Sequence, residues 1–103
     1  MPLNRKAGGS LAANTDTTIF QPGPGVAGSY TVSLANRTSA AINVRLGLSA
    51  SGTVDWTTDS LEFDVSLPAN GVIERSGIAV GNPNALHARA SATGVTFVVF
   101  GAD

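Results

Sequence analysis

The amino-acid sequence predicts an all-β fold: a single small antiparallel β-sandwich or jelly roll with an extended N-terminal arm. Three observations carry that reading. Stretch after stretch alternates apolar and polar residues with a period of two, the mark of a half-buried strand. The gaps between these stretches are rich in Gly, Pro and Asn, residues that set turns. No stretch shows the 3.6-residue spacing of an amphipathic helix, which argues against a parallel α/β fold.

Residues 1–18 read as an extended or flexible arm, and residues 19–103 as the sandwich. The arm holds two large aliphatics besides Met1, Leu3 and Leu11, among Gly, Ser, Asn, Thr and Ala. Thr17-Thr18-Ile19-Phe20 has the makings of a first short strand. Gln21-Pro22-Gly23-Pro24-Gly25 ends it, because proline removes a ladder donor and glycine relaxes the backbone. From Gly28 onward, Tyr30, Val32 and Leu34 form one inward row, and Asn36-Arg37-Thr38 turns the chain. Ile42, Val44, Leu46 and Leu48 form the next row, with Asn43 and Arg45 outward. A polar connection containing Trp56 leads to a third row, Leu61, Phe63, Val65 and Leu67, with Glu62 and Asp64 outward. Asn70-Gly71 is a turn signal, since both residues tolerate positive φ. Val72 to Val80 reads as a strand interrupted at Gly77, where an isolated glycine marks a bulge or bend. After Gly81-Asn82-Pro83-Asn84, Leu86, Ala88 and Ala90 face inward while His87 and Arg89 face outward.

The last strand, Val95 to Phe100, is apolar on both faces except at Thr96. With Val95, Phe97 and Val99 in the core, Val98 and Phe100 need a second cover, which is either the N-terminal segment or a loop, or another subunit.

Composition narrows function. A chain of 103 residues favours one domain. Charge is sparse at 13%, with six basic and seven acidic residues, and the arginines at 5, 37, 45, 75 and 89 are dispersed. Phosphate neutralisation needs a clustered basic face, so nucleic acid is not an expected partner. The absence of cysteine excludes a disulfide framework and thiolate metal sites. No segment reaches the roughly 18 apolar residues of a spanning helix, so no membrane partner is expected. Arg5 and Lys6 have no apolar run behind them, so no signal peptide is expected either.

Four motifs have a chemical reading beside a plainer one. Gly23-Pro24-Gly25-Val26-Ala27-Gly28 fits G-x-G-x-x-G, but a strand follows it instead of the helix that a pyrophosphate needs. His87, the one histidine, has no Gly-x-Ser-x-Gly elbow to serve and reads as a surface residue. Asp55, Asp59, Glu62 and Asp64 cluster without calcium-loop spacing. They read as surface charge, with Glu62 and Asp64 able to pair with Arg45 or Arg75. Trp56, the one tryptophan, is either a platform for a sugar ring or a residue packed at the core edge or against a neighbour. No catalytic, cofactor-binding or metal-binding residues are assigned, and no cofactor is expected.

The run Leu61-Glu62-Phe63-Asp64-Val65-Ser66-Leu67-Pro68-Ala69-Asn70-Gly71-Val72-Ile73-Glu74-Arg75-Ser76-Gly77-Ile78 resembles a segment of small structural proteins of tailed bacteriophages. Tyr30 to Arg37, Ile42 to Leu46, Leu86 to Ala90 and Val95 to Gly101 fit the same pattern, so the likeness covers roughly residues 28–101. The resemblance implies a non-enzymatic virion component. With an N-terminal arm to lie across neighbouring subunits, the expectation is a head decoration or cement protein. It would bind the major capsid protein or other virion proteins at subunit junctions, on the capsid exterior, as a homo-oligomer with a trimer favoured. Its contact residues would be Leu3, Leu11, Ile19, Phe20, Trp56, Val98 and Phe100. The alternative is a tail, neck or fibre β module that binds a receptor or carbohydrate.

Overall fold

A computed structural model describes residues 3–103. The chain forms eight strands: β1 (Leu3–Ser10), β2 (Thr17–Phe20), β3 (Ala27–Asn36), β4 (Ile42–Ser49), β5 (Ser60–Leu67), β6 (Val72–Gly81), β7 (Ala85–Ala90) and β8 (Val95–Ala102). They build two four-stranded sheets, ordered β1-β8-β3-β6 and β2-β7-β4-β5. Four antiparallel pairings define the topology. The first strand pairs with the eighth, the second with the seventh, the third with the sixth and the fourth with the fifth. The β3–β8 and β4–β7 ladders complete the sheets. This is one long hairpin wrapped around a core, the jelly-roll arrangement. The two sheets form the expected small β-sandwich, and the strand pairing gives it jelly-roll connectivity.

The inward rows form the core. Tyr30, Val32, Leu34, Ile42, Val44, Leu46, Leu86, Ala88, Ala90, Val95, Phe97 and Val99 are all buried. Leu48 and Val65 pack at the margin. Gly77 has φ +71° and lies in β6 where Tyr30 and Val32 pair with Ile78 and Arg75, so the extra residue there is a bulge. A side chain at that φ is strained, which is why glycine occupies it.

One end of the roll is tied by Asn36, 2% exposed. Its Nδ2 donates to the carbonyls of Ala40 (2.8 Å), Leu67 (3.0 Å) and Pro68 (3.2 Å). Its Oδ1 accepts from Thr38 N–H (2.9 Å) and the Thr38 hydroxyl (2.7 Å). Two chain crossings at this end, β3 to β4 and β5 to β6, are held by one carboxamide. The Asn36-Arg37-Thr38 turn is therefore present, and its asparagine points inward.

The sequence expectation fails in three places. The extended arm expected for residues 1–18 is not seen from Leu3 onward. β1 runs antiparallel along β8 from Leu3–Ala102 to Ser10–Thr96, Leu11 is buried in the core, and Ala13 bridges to Ala90. The polar side chains of this segment conceal a strand because its attachment is a main-chain ladder at a sheet edge. Phe63, expected in the core, is 52% exposed. Val44 pairs with Val65 but Leu46 pairs with Glu62, so Phe63 and Asp64 together face Arg45. Asp64 has φ +51°, and this bulge turns the phenyl ring outward. His87, expected on the surface, is 2% exposed because residues 50–59 fold over it.

Candidate functional site

The outer face of the second sheet carries the densest group of interacting side chains. It begins with residues 50–59, which join β4 to β5. Asp55 folds this loop on itself: its Oδ1 accepts from Thr57 N–H (3.0 Å) and the Thr57 hydroxyl (2.6 Å), and its carbonyl accepts from Asp59 N–H (2.8 Å). Those Thr57 bonds also hold the Asp55 carboxyl below the usual carboxylate range. Asp59 Oδ2 accepts from Asp55 N–H (2.8 Å). These two acids shape the loop.

The loop lays Trp56 against the backbone of β4. A Cβ at Gly47 would stand 2.9 Å from the indole, so glycine permits the close approach. The indole N–H donates to Asp16 Oδ1 (2.9 Å), which also accepts from Arg89 Nη1 (3.1 Å). The Trp56 bond first, and Arg89 with it, hold the Asp16 carboxyl below its ordinary value. Arg45 lies between the half-buried Trp56 ring and the exposed Phe63 ring. Its guanidinium carbon is 4.2 Å from the Phe63 centroid and 5.8 Å from that of Trp56. Its Nε (2.7 Å) and Nη2 (3.1 Å) donate to the two oxygens of Asp64. Arg45 keeps the Asp64 carboxyl ionised well into acid, and Asp64 in turn raises the Arg45 pKa.

Two depressions flank Arg45. On one side Trp56, Thr57, Ser60 and Phe63 line a shallow, mainly apolar groove of about 360 Å³. On the other, Asn14, Asn43, Asp64, Arg89 and Ser91 line a polar notch of about 90 Å³. Asn14, at φ +52°, is set there by its N–H bond to the Ala90 carbonyl (2.7 Å).

His87 belongs to the layer beneath the loop. Its Nε2 lies 2.7 Å from Ser49 Oγ, and its Nδ1 lies 3.2 Å from Thr18 Oγ1. The Ser49 hydroxyl donates to the Ser51 carbonyl and so accepts from Nε2–H. Thr18 is then the donor to Nδ1. In this arrangement His87 Nε2–H donates a hydrogen bond to the serine oxygen, so that nitrogen is not placed to accept the serine proton. Burial pushes its pKa below the ordinary 6.5.

The remaining acid forms an ion pair, as its position allowed. Glu62 Oε2 accepts from Arg75 Nη1 at 2.6 Å, although β5 and β6 lie in different sheets, so this pair spans the sandwich edge. Gly23–Gly28 forms a turn, closed by Val26 N–H to the Gly23 carbonyl (2.9 Å), that enters β3.

The expected contact residues separate into two groups. Leu11 and Ile19 are buried core residues, and Phe20 packs edge-on against Tyr30 with centroids 4.8 Å apart. They face inward, which corrects their reading as contact residues. The Leu3 side chain lies outside the described residues. Val98 and Phe100 do face outward, on the first sheet: Val98 is half-buried and Phe100 is 37% exposed. Across that face β8 is flanked by Gly8, Thr31, Ser33 and Ala35, with Val72 (62% exposed) beyond. Arg5 and Glu74 are the charged residues of these rows.

Alternation could not reveal the Phe63, Arg45, Asp16 and Asn14 grouping. It depends on a bulge and on a loop fold, and its one local signal is an aspartate that tolerates positive φ next to Phe63. No protein-family model matches the chain, and no curated protein matches it. Among the described residues, no helix is long and apolar enough to cross a membrane.

Proposed function

We propose that this protein is a non-enzymatic structural component of a phage virion, a decoration or cement protein that binds at capsid subunit junctions. The observation that carries this reading is the outer face of the first sheet. Val98 and Phe100 stand on an inner strand of that sheet, flanked by Gly8, Thr31 and Ser33, with Arg5 opposite Phe100 and Val72 exposed at the side. A flat, weakly charged face of this kind suits a protein–protein contact better than free solvent. The eight-stranded jelly roll, an architecture used by viral capsid domains among others, is compatible with the role. The likeness of residues 28–101 to phage structural proteins supplies the remaining support.

The mechanism is adhesion. The first-sheet face packs against capsid subunits or a second copy of the chain, and many copies on one shell make weak single contacts effective. β1, already paired along β8, brings no ordering cost to such a contact, unlike a free arm at roughly 1–2 kcal/mol per residue. The test is the thermal rupture of particles with and without the protein. Earlier rupture of the deficient shells, restored by adding the purified protein, is the expected result. Identical rupture curves would reject the proposal.

A further inference from the structure

The opposite face of the roll carries a second set of features that shell adhesion through the first sheet does not use. Trp56 and Phe63 present ring surface on either side of Arg45, over a groove of about 360 Å³. That volume is within the ordinary range for small-ligand sites, roughly 300–1,000 Å³. Directly beyond Arg45, the polar notch offers the carboxamides of Asn14 and Asn43 and the Ser91 hydroxyl. We propose that this face is a binding site for a neutral saccharide, one pyranose lying in the aromatic groove and its neighbour's hydroxyls in the polar notch.

Charge selects the ligand class. Both arginines of the site are already paired, Arg45 with Asp64 and Arg89 with Asp16. An anionic ligand such as phosphate would have to displace a carboxylate, and a cation would have to displace an arginine. What the face still offers is ring surface beside neutral donors and acceptors. A pyranose with axial C–H bonds on one side and hydroxyls around its rim matches both halves. A peptide ligand is a poorer match: the adjoining edge strand β5 is bulged at two places, which breaks the regular row of main-chain groups that strand addition requires.

The site is held in place before any ligand arrives. Trp56 is fixed below by Gly47 and at its nitrogen by Asp16, and Arg45 is gripped at two of its three guanidinium nitrogens by Asp64. Little side-chain freedom is left to lose on binding, which favours affinity.

Trp56 is the one tryptophan of the chain, so its fluorescence reports on this site directly. Titration of the full chain with cellotriose, lactose and mannotriose should shift the emission for at least one sugar, with a Kd of about 1 mM or tighter. Sialyllactose should bind no better than lactose. Phe63→Ala changes an exposed side chain and should keep the fold while weakening binding at least about fivefold. In amide NMR spectra of the wild type, the responding sugar should shift Asn14, Asn43 and Arg89 and leave Val98 and Phe100 unmoved. No emission change with any of these sugars at about 20 mM, roughly twenty times the weakest affinity expected, would overturn the proposal. So would binding that Phe63→Ala leaves unchanged, or shifts confined to the first sheet.

Discussion

Replacing Asn36 by alanine should destabilise the whole domain, because one buried carboxamide serves two chain crossings. The substitution removes five hydrogen bonds of 2.7–3.2 Å, three donated and two accepted. Two N–H groups serve the three carbonyls, so those bonds are partly shared. At a net value of about 0.5–1.5 kcal/mol for each of the four independent bonds, the loss comes to about 2–6 kcal/mol. That is a large share of the roughly 5–15 kcal/mol that holds a domain of this kind. Urea unfolding should show a midpoint lowered by about 1–3 M with the slope unchanged. Asn36→Asp separates the donated bonds from the accepted ones. An ionised carboxylate would face the carbonyls of Ala40, Leu67 and Pro68, so this variant should regain stability as acid protonates it. An Asn36→Ala midpoint equal to that of the wild type would refute the staple.

Further outcomes follow from other parts of the roll. Burial keeps the folded-state pKa of His87 below 6.5, so on acidification the unfolded chain takes up the proton first. Its contribution is complete above pH 6.5 and is lost as pH falls through the folded value. Unfolding midpoints should therefore drop between about pH 7 and pH 5 in the wild type and stay flat in His87→Gln, with a flat wild-type profile the contrary result. Gly77→Ala meets no neighbouring atom but must hold φ +71°, so calorimetry should show a cost of about 1–2 kcal/mol, smaller for Gly77→Asn. Phe100→Asp should weaken self-association in sedimentation while leaving the far-ultraviolet dichroism unchanged. A wild type that sediments as a monomer at micromolar concentration would count against the first-sheet contact.

The strands that carry the core were legible because their environment matches a simple alternation. β3, β4 and β8 each bury mainly one face and β7 buries both, and the inward rows of all four read directly from the sequence. Gly77 was legible too, since a glycine within a strand pattern has few other uses. β1 was not, because an edge strand held by its main chain needs no apolar row. Phe63 defied the pattern because the bulge at Asp64 turns it outward, while Val65 and Leu67 keep the expected face. His87 did so because the loop of residues 50–59, far away in sequence, covers it, and period-two alternation describes the sheet alone. The candidate site was readable only in its parts: Trp56 as a platform and Asp64 as a partner for Arg45. Their meeting required the fold.

The most direct test of the structural role is the number of copies of the protein in purified particles, measured by quantitative mass spectrometry against the major capsid protein. The shell-binding account predicts copies in fixed proportion to the capsid subunits. A handful of copies per particle, or none, would contradict it.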